Sequence, residues 1–300
     1  MSVVSPSPIA SSVAPIGLFD SGVGGLSVYL HLAQQLPNEQ YIYYADTLNV
    51  PYGTRSSEEI YRFTLQAVEW LYNQGCKLIV IACNSASAHA LEAVRALYPD
   101  VPIVGLVPAL KPAVLASQSK HVAVLATQAT LNGKLLNQVI ADIAEPANTT
   151  VTKCFDPQLV PWIEAGMPLQ DKTALSLSEK MRHFHQLGVD YLVLGCTHYP
   201  FFKPLLEDQI ARENLHITIV DSGAAIAVRV QQLLAIGQSA APKPTAYSSQ
   251  KTAPKLKFYA SQYNKALGEL VTALVQHPIE LLNEDDCLIK NPAQLKFRGE

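Results

Sequence analysis

Two copies of one short pattern constrain this chain more than any other feature. Residues 75–85 read Gly-Cys-Lys-Leu-Ile-Val-Ile-Ala-Cys-Asn-Ser, and residues 188–198 read Gly-Val-Asp-Tyr-Leu-Val-Leu-Gly-Cys-Thr-His. In both copies a cysteine, Cys83 or Cys196, lies eight positions after the glycine and follows a short apolar run. An apolar run bounded by turn residues is typical of a parallel strand buried on both faces. The repeat therefore predicts two matching strands that each end at a cysteine.

Strands alternate with helices before, between and after the two copies. The further strand candidates lie at 16–19, 40–45, 102–107, 121–126, 150–155 and 218–220. Segments with helical periodicity separate them, for example 57–73 and 132–143. This alternation predicts an α/β fold of two similar, doubly wound parallel-sheet domains related by pseudo-two-fold symmetry. Ligands of such sheets bind beyond the carboxyl ends of the strands, so the cysteines place the expected active site between the domains.

The order of the strands also predicts where the domains begin and end. Residues 1–15, rich in Ser, Pro and Ala, are expected to form a flexible leader without the basic start of a signal peptide. The first domain is expected to comprise 16–108 and 222–300, with a surface loop over 237–256, and the second domain 109–221.

Composition excludes several classes of protein. Of the 300 residues 49% are apolar and 16% are charged, which is typical of an ordinary globular enzyme. A net charge of -3 without a basic stripe argues against a nucleic-acid partner. No apolar run approaches the roughly 18 residues of a membrane span, so no membrane partner is expected. Five cysteines without framework spacing predict free thiols in the reducing cytoplasm.

The glycine-rich stretch that begins at Asp20 has two interpretations. Asp20-Ser-Gly-Val-Gly-Gly lacks the third glycine of a dinucleotide fingerprint, because Ser27 stands there, and it lacks the Gly-Lys ending of a P-loop. It is either an anion-binding turn with exposed N–H groups or simply a tight strand-to-helix turn. Cys83 with His89, and Cys196 with His198, do not show the spacing of metal ligands, so no metal site is expected.

The two cysteines themselves suggest acid–base chemistry. A thiol between the end of a strand and the start of a helix meets unpaired N–H groups and the helix dipole, which favour the thiolate. Two thiols that face one ligand from opposite sides would suit a proton exchange with inversion, because one removes a proton while the other delivers one. The alternatives are two buried structural cysteines, or a disulfide between the two that would suit a redox protein; the expected compartment disfavours a structural disulfide.

Four motifs in order resemble the glutamate racemases. They are Asp20-Ser-Gly-Val-Gly-Gly, Asp46-Thr-Leu-Asn-Val-Pro-Tyr-Gly, Ala82-Cys-Asn-Ser-Ala and Leu194-Gly-Cys-Thr-His-Tyr-Pro, and the similarity extends over about 16–235. The resemblance implies cofactor-independent interconversion of L- and D-glutamate, which supplies D-glutamate for bacterial peptidoglycan. It implies a small-molecule substrate, and it leaves a homodimer open.

The resemblance also assigns roles to individual residues. Cys83 would deprotonate D-glutamate and Cys196 would deprotonate L-glutamate, with Asp20 assisting on one side and Glu164 and His198 on the other. The substrate-binding residues would be Asp20, Ser21, Pro51, Tyr52, Gly53, Asn84, Ser85, Thr197 and His198. Ser85 stands where the family usually has Thr, and its hydroxyl is retained.

Several alternatives remain at this stage. The chain could be an aspartate racemase, another two-cysteine racemase or an inactive amino-acid-binding protein. His198 could simply cap a helix, Tyr52 could pack in a turn, and Glu164 could be a solvated helix residue.

Overall fold

The computed structural model describes residues 14–239, 255–275 and 279–281. Most of the expected leader, most of the 237–256 loop and Cys287 lie outside the described residues. Within the described part, no helix is long and apolar enough to cross a membrane.

Strands and helices alternate along the described chain, and their bounds are as follows. The strands are β1 Ile16–Asp20, β2 Gln40–Ala45, β3 Leu78–Ile81, β4 Ile103–Gly105, β5 His121–Ala126, β6 Thr150–Cys154, β7 Tyr191–Gly195, β8 Thr218–Val220, β9 Lys255–Ala260 and β10 Glu280–Leu281. The helices are α1 Leu26–Gln35, α2 Ser57–Asn73, α3 Asn84–Leu97, α4 Leu110–Ala116, α5 Gln128–Asn132, α6 Lys134–Val139, α7 Leu159–Glu164, α8 Lys172–Gln186, α9 Lys203–Glu213, α10 Gly223–Ser239 and α11 Lys265–Val275.

The strands form two parallel sheets, which confirms the predicted α/β fold class. The first sheet has the order β10-β9-β2-β1-β3-β4, and the second has the order β6-β5-β7-β8. The order β2-β1-β3-β4 of the first sheet matches the order of the second strand for strand. In this match β3, which leads to Cys83, corresponds to β7, which leads to Cys196. The repeat in the sequence is thus a repeat of one structural unit.

Helices cover both faces of each sheet, as a continuous apolar strand requires. In the first sheet, Leu18 and Val80 pack towards α1, α10 and α11, whereas Phe19 and Ile81 pack towards α2 and α3. All four of these side chains are fully buried. The sheets are therefore rigid supports, and the residues that follow their strands are held in fixed positions.

The prediction of one helix over 132–143 is wrong. The side chain of Thr127 caps the start of α5 by accepting a hydrogen bond from the N–H of Thr130, so helical structure begins earlier than predicted. Gly133 then separates α5 from α6, and a π-helical turn follows at Ile140–Ala144. A Cβ atom at Gly133 would lie 2.6 Å from the Cβ of Ala88. This close approach to α3 explains why a glycine interrupts the helical pattern.

Candidate active site

The carboxyl ends of the central strands of both sheets meet at one cleft. Asp20 ends β1, and Cys83 follows β3, on the side of the first sheet. Thr127 follows β5, and Cys196 follows β7, on the side of the second sheet. Between them lies a small, narrow cavity. Its lining is formed by Ser21, Pro51, Tyr52, Gly53, Cys83, Asn84, Ser85, Thr127, Val160, Cys196, Thr197 and His198.

Cys83 lies at the start of α3 and is almost completely buried. Its Sγ accepts a hydrogen bond from the N–H of Ala86 at 3.5 Å, and its thiol donates to the Oγ of Ser21 at 3.8 Å. Burial, followed by the nearby Asp20, raises the pKa of the Cys83 thiol well above its ordinary value. The prediction that the helix start favours a thiolate at Cys83 is therefore wrong for the free site. The Ala86 N–H does lower the pKa, but the loss of solvation outweighs it.

Asp20 is the carboxylate of the Cys83 side, and it is fully buried. Its Oδ1 accepts from the N–H of Gly22 at 2.8 Å, and its Oδ2 accepts from the hydroxyl of Thr197 at 2.9 Å. Burial raises the pKa of Asp20 from 3.8 to about 6, although His198 and the two hydrogen bonds oppose the rise. At neutral pH Asp20 is thus an ionised group close to its own pKa, which is suitable for a general base.

The Cys196 side contains a hydrogen-bonded chain of three side chains. The Sγ of Cys196 lies 3.7 Å from Nδ1 of His198, and Nε2 of His198 lies 2.6 Å from Oε1 of Glu164. Burial alone would lower the pKa of His198, but its hydrogen bonds with Cys196 and Glu164 outweigh burial and raise it well above its ordinary value. The pKa of Glu164 is lowered, because the bonds from His198 and from the N–H of Val23 outweigh its burial. His198 and Glu164 therefore form an ion pair that presents an N–H to the Cys196 thiol.

The remaining wall of the cavity offers hydrogen-bond donors. The Nδ2 of Asn84 is buried and has no partner among the described residues, which is costly unless a ligand supplies one. Ser85 and Thr127 share a hydrogen bond of 2.8 Å between their hydroxyls, from opposite sheets. The Tyr52 hydroxyl donates to Oδ2 of Asp46 at 2.6 Å, which fixes its ring against the cavity. The Asn84 Nδ2, a donor without a partner among the described residues, suits a ligand that carries a carboxylate.

The structure brings all twelve sequence-predicted site residues to this cleft, ten in the lining itself and two behind it. The two behind are Asp20, which bonds Thr197, and Glu164, which bonds His198. Glu164 is not a solvated helix residue, since its side chain is 18% exposed and paired, and His198 makes no cap hydrogen bond. Cys83 and Cys196 are both free thiols. Within the described ranges, no group of three or more His, Cys, Asp or Glu side chains could hold a metal ion.

Thr127 and Val160 line the cavity and were absent from the prediction. Thr127 could have been found from the repeat, because it follows β5 as Ser21 follows β1. Val160 could not, because it lies on α7, whose position depends on packing against the second sheet.

The chain is similar to known racemases along most of its length. The family of Asp/Glu/hydantoin racemases matches residues 16–230. A glutamate racemase of Deinococcus radiodurans is 45% identical over 230 residues, which are 77% of this chain and 78% of the relative. A glutamate racemase of Clostridium perfringens is 35% identical and covers 88% of this chain and 96% of its own.

Solved structures show the same fold. The glutamate racemase of Francisella tularensis in complex with D-glutamate has a TM-score of 0.72 at 28% identity, covering 91% of this chain and 99% of its own. The Escherichia coli glutamate racemase, in complex with L-glutamate and the activator UDP-MurNAc-Ala, has a TM-score of 0.69 at 32% identity, covering 88% of this chain and 94% of its own. This chain therefore belongs to the Asp/Glu/hydantoin racemase family, among its glutamate racemases.

Proposed function

We propose that the protein interconverts L- and D-glutamate by proton transfer between two thiols, without a cofactor. The observation that carries the proposal is that Cys83 and Cys196 line one cavity from opposite sheets. Each thiol has its own acid–base neighbour, Asp20 on one side and the His198–Glu164 pair on the other. The sequence relatives named glutamate racemase support the choice of substrate.

In the proposed reaction the Cys83 thiol first gives its proton to ionised Asp20, since a thiolate, not a thiol, is the base. The Cα–H bond of D-glutamate then breaks as its proton passes to the sulfur of Cys83. The electron pair stays on Cα and is delocalised into the adjacent carboxylate. The Cys196 thiol then gives its proton to the opposite face of Cα, which forms L-glutamate and leaves a Cys196 thiolate beside the His198 imidazolium. The reverse reaction uses the same groups in the opposite order.

The donors of the cavity wall would bind the two carboxylates of the substrate. Asn84 supplies an amide N–H without a partner among the described residues, and Ser21, whose oxygen accepts from Cys83, supplies a hydroxyl proton. Pro51, Tyr52 and Gly53 form the rim of the cavity at a short 3-10 turn. Contacts from both sheets would hold Cα between the two sulfurs, the geometry that inversion requires.

Incubation of the purified protein with L-glutamate in D2O tests the proposal. We expect optical rotation to decay while solvent deuterium enters at Cα, without added pyridoxal phosphate or metal. Racemisation of aspartate but not glutamate would move the proposal to the aspartate racemases. No deuterium exchange with either amino acid would refute the proposed racemisation.

The cellular role follows from the reaction. We propose that the protein acts in the cytoplasm and supplies D-glutamate for peptidoglycan, so a strain that lacks it should need D-glutamate for growth.

We also propose a division into two domains, one formed by residues 16–108 with 222–300 and the other by residues 109–221. The pairing of β9 with β2 in the first sheet supports this division. A homodimer is proposed from the resemblance alone, and light scattering of the purified protein would test it.

A further inference from the structure

Two consecutive peptide units, on either side of Gly22, contact the carboxylates of the two thiol sites. The N–H of Val23 donates to Oε1 of Glu164 at 3.0 Å. The preceding N–H, that of Gly22, donates to Oδ1 of Asp20 at 2.8 Å. A shift of this short segment would therefore change hydrogen bonds on the Cys83 side and on the Cys196 side together.

The carbonyl of the Gly22–Val23 peptide is held by a residue outside the catalytic set. The hydroxyl of Tyr43 donates to the carbonyl oxygen of Gly22 at 2.9 Å. Tyr43 is fully buried in the middle of β2, which is paired on both sides with β1 and β9. Its ring stacks on Phe258 with centroids 5.2 Å apart and planes 16° apart. The hydroxyl is thus fixed by the sheet, whereas the peptide it holds lies in a loop.

The first turn of α1 holds the later part of the loop, because its N–H groups bond the carbonyls of Val23, Gly24 and Gly25. Gly22, Gly24 and Gly25 have no side chains, so their backbone is intrinsically free. Side chains are also excluded there, because a Cβ at Gly22 would collide with Glu164, and a Cβ at Gly25 would lie 2.8 Å from the hydroxyl oxygen of Tyr43. The Gly22 carbonyl lies before that turn, and the Tyr43 hydroxyl is the donor that reaches it.

We propose that Tyr43 is a positioning residue for racemisation, and this inference rests on the proposed function. Its hydroxyl fixes the Gly22–Val23 peptide and thereby sets the hydrogen bonds that Asp20 and Glu164 accept. A donor at a peptide carbonyl also polarises the N–H of that peptide, which strengthens the bond to Glu164. Tyr43 touches neither the substrate nor a thiol in this arrangement, and it acts only through the loop.

The test compares Tyr43→Phe with Tyr41→Phe in the racemisation assay. Tyr41 precedes Tyr43 by two positions on the same strand, and its hydroxyl donates to the carbonyls of Leu32 and Leu36 at 3.1 and 2.9 Å, remote from the cavity. We expect Tyr43→Phe to lower kcat by about 5- to 20-fold, with KM changed by less than about threefold. We also expect the acid limb of its pH profile to move to higher pH, because a weaker Gly22 bond lets the pKa of Asp20 rise. Tyr41→Phe should keep the kcat and the pH profile of the wild type.

The possible results separate the inference from the function on which it rests. A wild-type protein that does not racemise glutamate refutes the proposed function. An active wild type, with Tyr43→Phe unchanged in kcat and pH profile, refutes the role of Tyr43 alone. Equal losses in both tyrosine variants would also refute it, since they would reflect general destabilisation. Should Tyr43→Phe fail to fold, Phe258→Leu loosens the Tyr43 ring and keeps its hydroxyl, and it must lower kcat and shift the acid limb in the same direction.

Discussion

Thr197, the residue directly after Cys196, donates its hydroxyl to Oδ2 of Asp20 at 2.9 Å across the cleft between the two sheets. The carboxylate beside one thiol is thus held by the neighbour of the other thiol. A second hydrogen bond crosses the cleft with donor and acceptor exchanged. The N–H of Val23, on the side of the first sheet, donates to Glu164 on the side of the second sheet. The two proposed acid–base sites are therefore assembled only while the two sheets are in contact.

Thr197→Val should move the acid limb of the pH profile to higher pH. The Thr197 hydroxyl lowers the pKa of Asp20, so its loss raises that pKa above about 6. Activity that needs ionised Asp20 then appears at higher pH. The measurement is kcat/KM for glutamate between pH 5 and 9. Thr152→Val, which removes a hydroxyl bonded to His121 on the outer strand β6, is the matched control and should keep the wild-type profile. An unchanged limb in Thr197→Val would contradict the coupling.

Asp20→Asn should change how stability depends on pH. Because burial raises the folded-state pKa of Asp20 from 3.8 to about 6, the folded state retains a proton that the unfolded chain has lost in this window. The contribution of Asp20 to stability is therefore fully present below about pH 4 and is lost as pH rises through about 6. Asn does not titrate, so the variant should gain up to about 3 kcal/mol relative to wild type between pH 4 and 6.5.

Urea unfolding of both proteins at several pH values measures this difference. Asn retains an oxygen for the Gly22 N–H, so the fold should be intact while racemisation falls by about 10²-fold or more. A difference in stability that stays constant with pH would show that Asp20 is not buried as a titrating group.

Cys83→Ser and Cys196→Ser should each lose racemisation by on the order of 10³-fold, since a serine hydroxyl is a far weaker acid than a thiol. Because the equilibrium constant of a racemisation is one, the loss in kcat/KM must be the same from either enantiomer. Polarimetry from L- and D-glutamate measures both directions. Cys154→Ser at the half-buried end of β6, outside the cavity, is the control and should remain active. A single-thiol variant with near wild-type turnover would rule out the two-thiol mechanism.

Glu164→Gln should lower the pKa of His198. Burial lowers that pKa, whereas Cys196 and the carboxylate of Glu164 raise it. Without the negative charge of Glu164, the pKa-lowering effect of burial is less compensated. His198 then loses its proton at lower pH, and the basic limb of the activity profile should move down in pH. The imidazole signals of His198, followed by NMR over pH, measure the shift directly. Glu179→Gln on α8 is a charge-matched control, and its His198 titration should equal that of wild type. Retention of the wild-type titration in Glu164→Gln would contradict the ion pair.

The sequence predicted the meeting of Cys83 and Cys196 because both follow strands of one repeated unit, and parallel strands present their carboxyl ends at the same edge. Spacing alone could not predict that Glu164 reaches His198, which only the resemblance placed on the same side, since this contact joins residues 34 positions apart through the packing of α7. The sequence also could not predict that the pKa of the Cys83 thiol is raised. Local spacing shows the helix start that favours a thiolate, whereas the burial that outweighs it comes from residues distant in the chain.

Asn84 should contribute to substrate binding at the expense of stability. Its Nδ2 is buried without a partner in the described part of the chain, so the folded protein without substrate bears the cost of an unsatisfied donor. Asn84→Leu has a similar volume and removes that donor. We expect an unfolding temperature equal to or above that of wild type, and a KM for glutamate higher by about tenfold or more, because a hydrogen bond to a charged carboxylate is lost.

The contrasting variant is Asn137→Leu. The Nδ2 of Asn137 donates to the carbonyls of Leu131 and Gly133 at 3.2 and 2.8 Å, outside the cavity. Its removal should lower the unfolding temperature and leave KM unchanged, the reverse of the Asn84 result. Thermal unfolding and initial rates at several glutamate concentrations measure both quantities. If Asn84→Leu instead lost stability and kept its KM, the Asn84 amide would be a structural group rather than part of the substrate site.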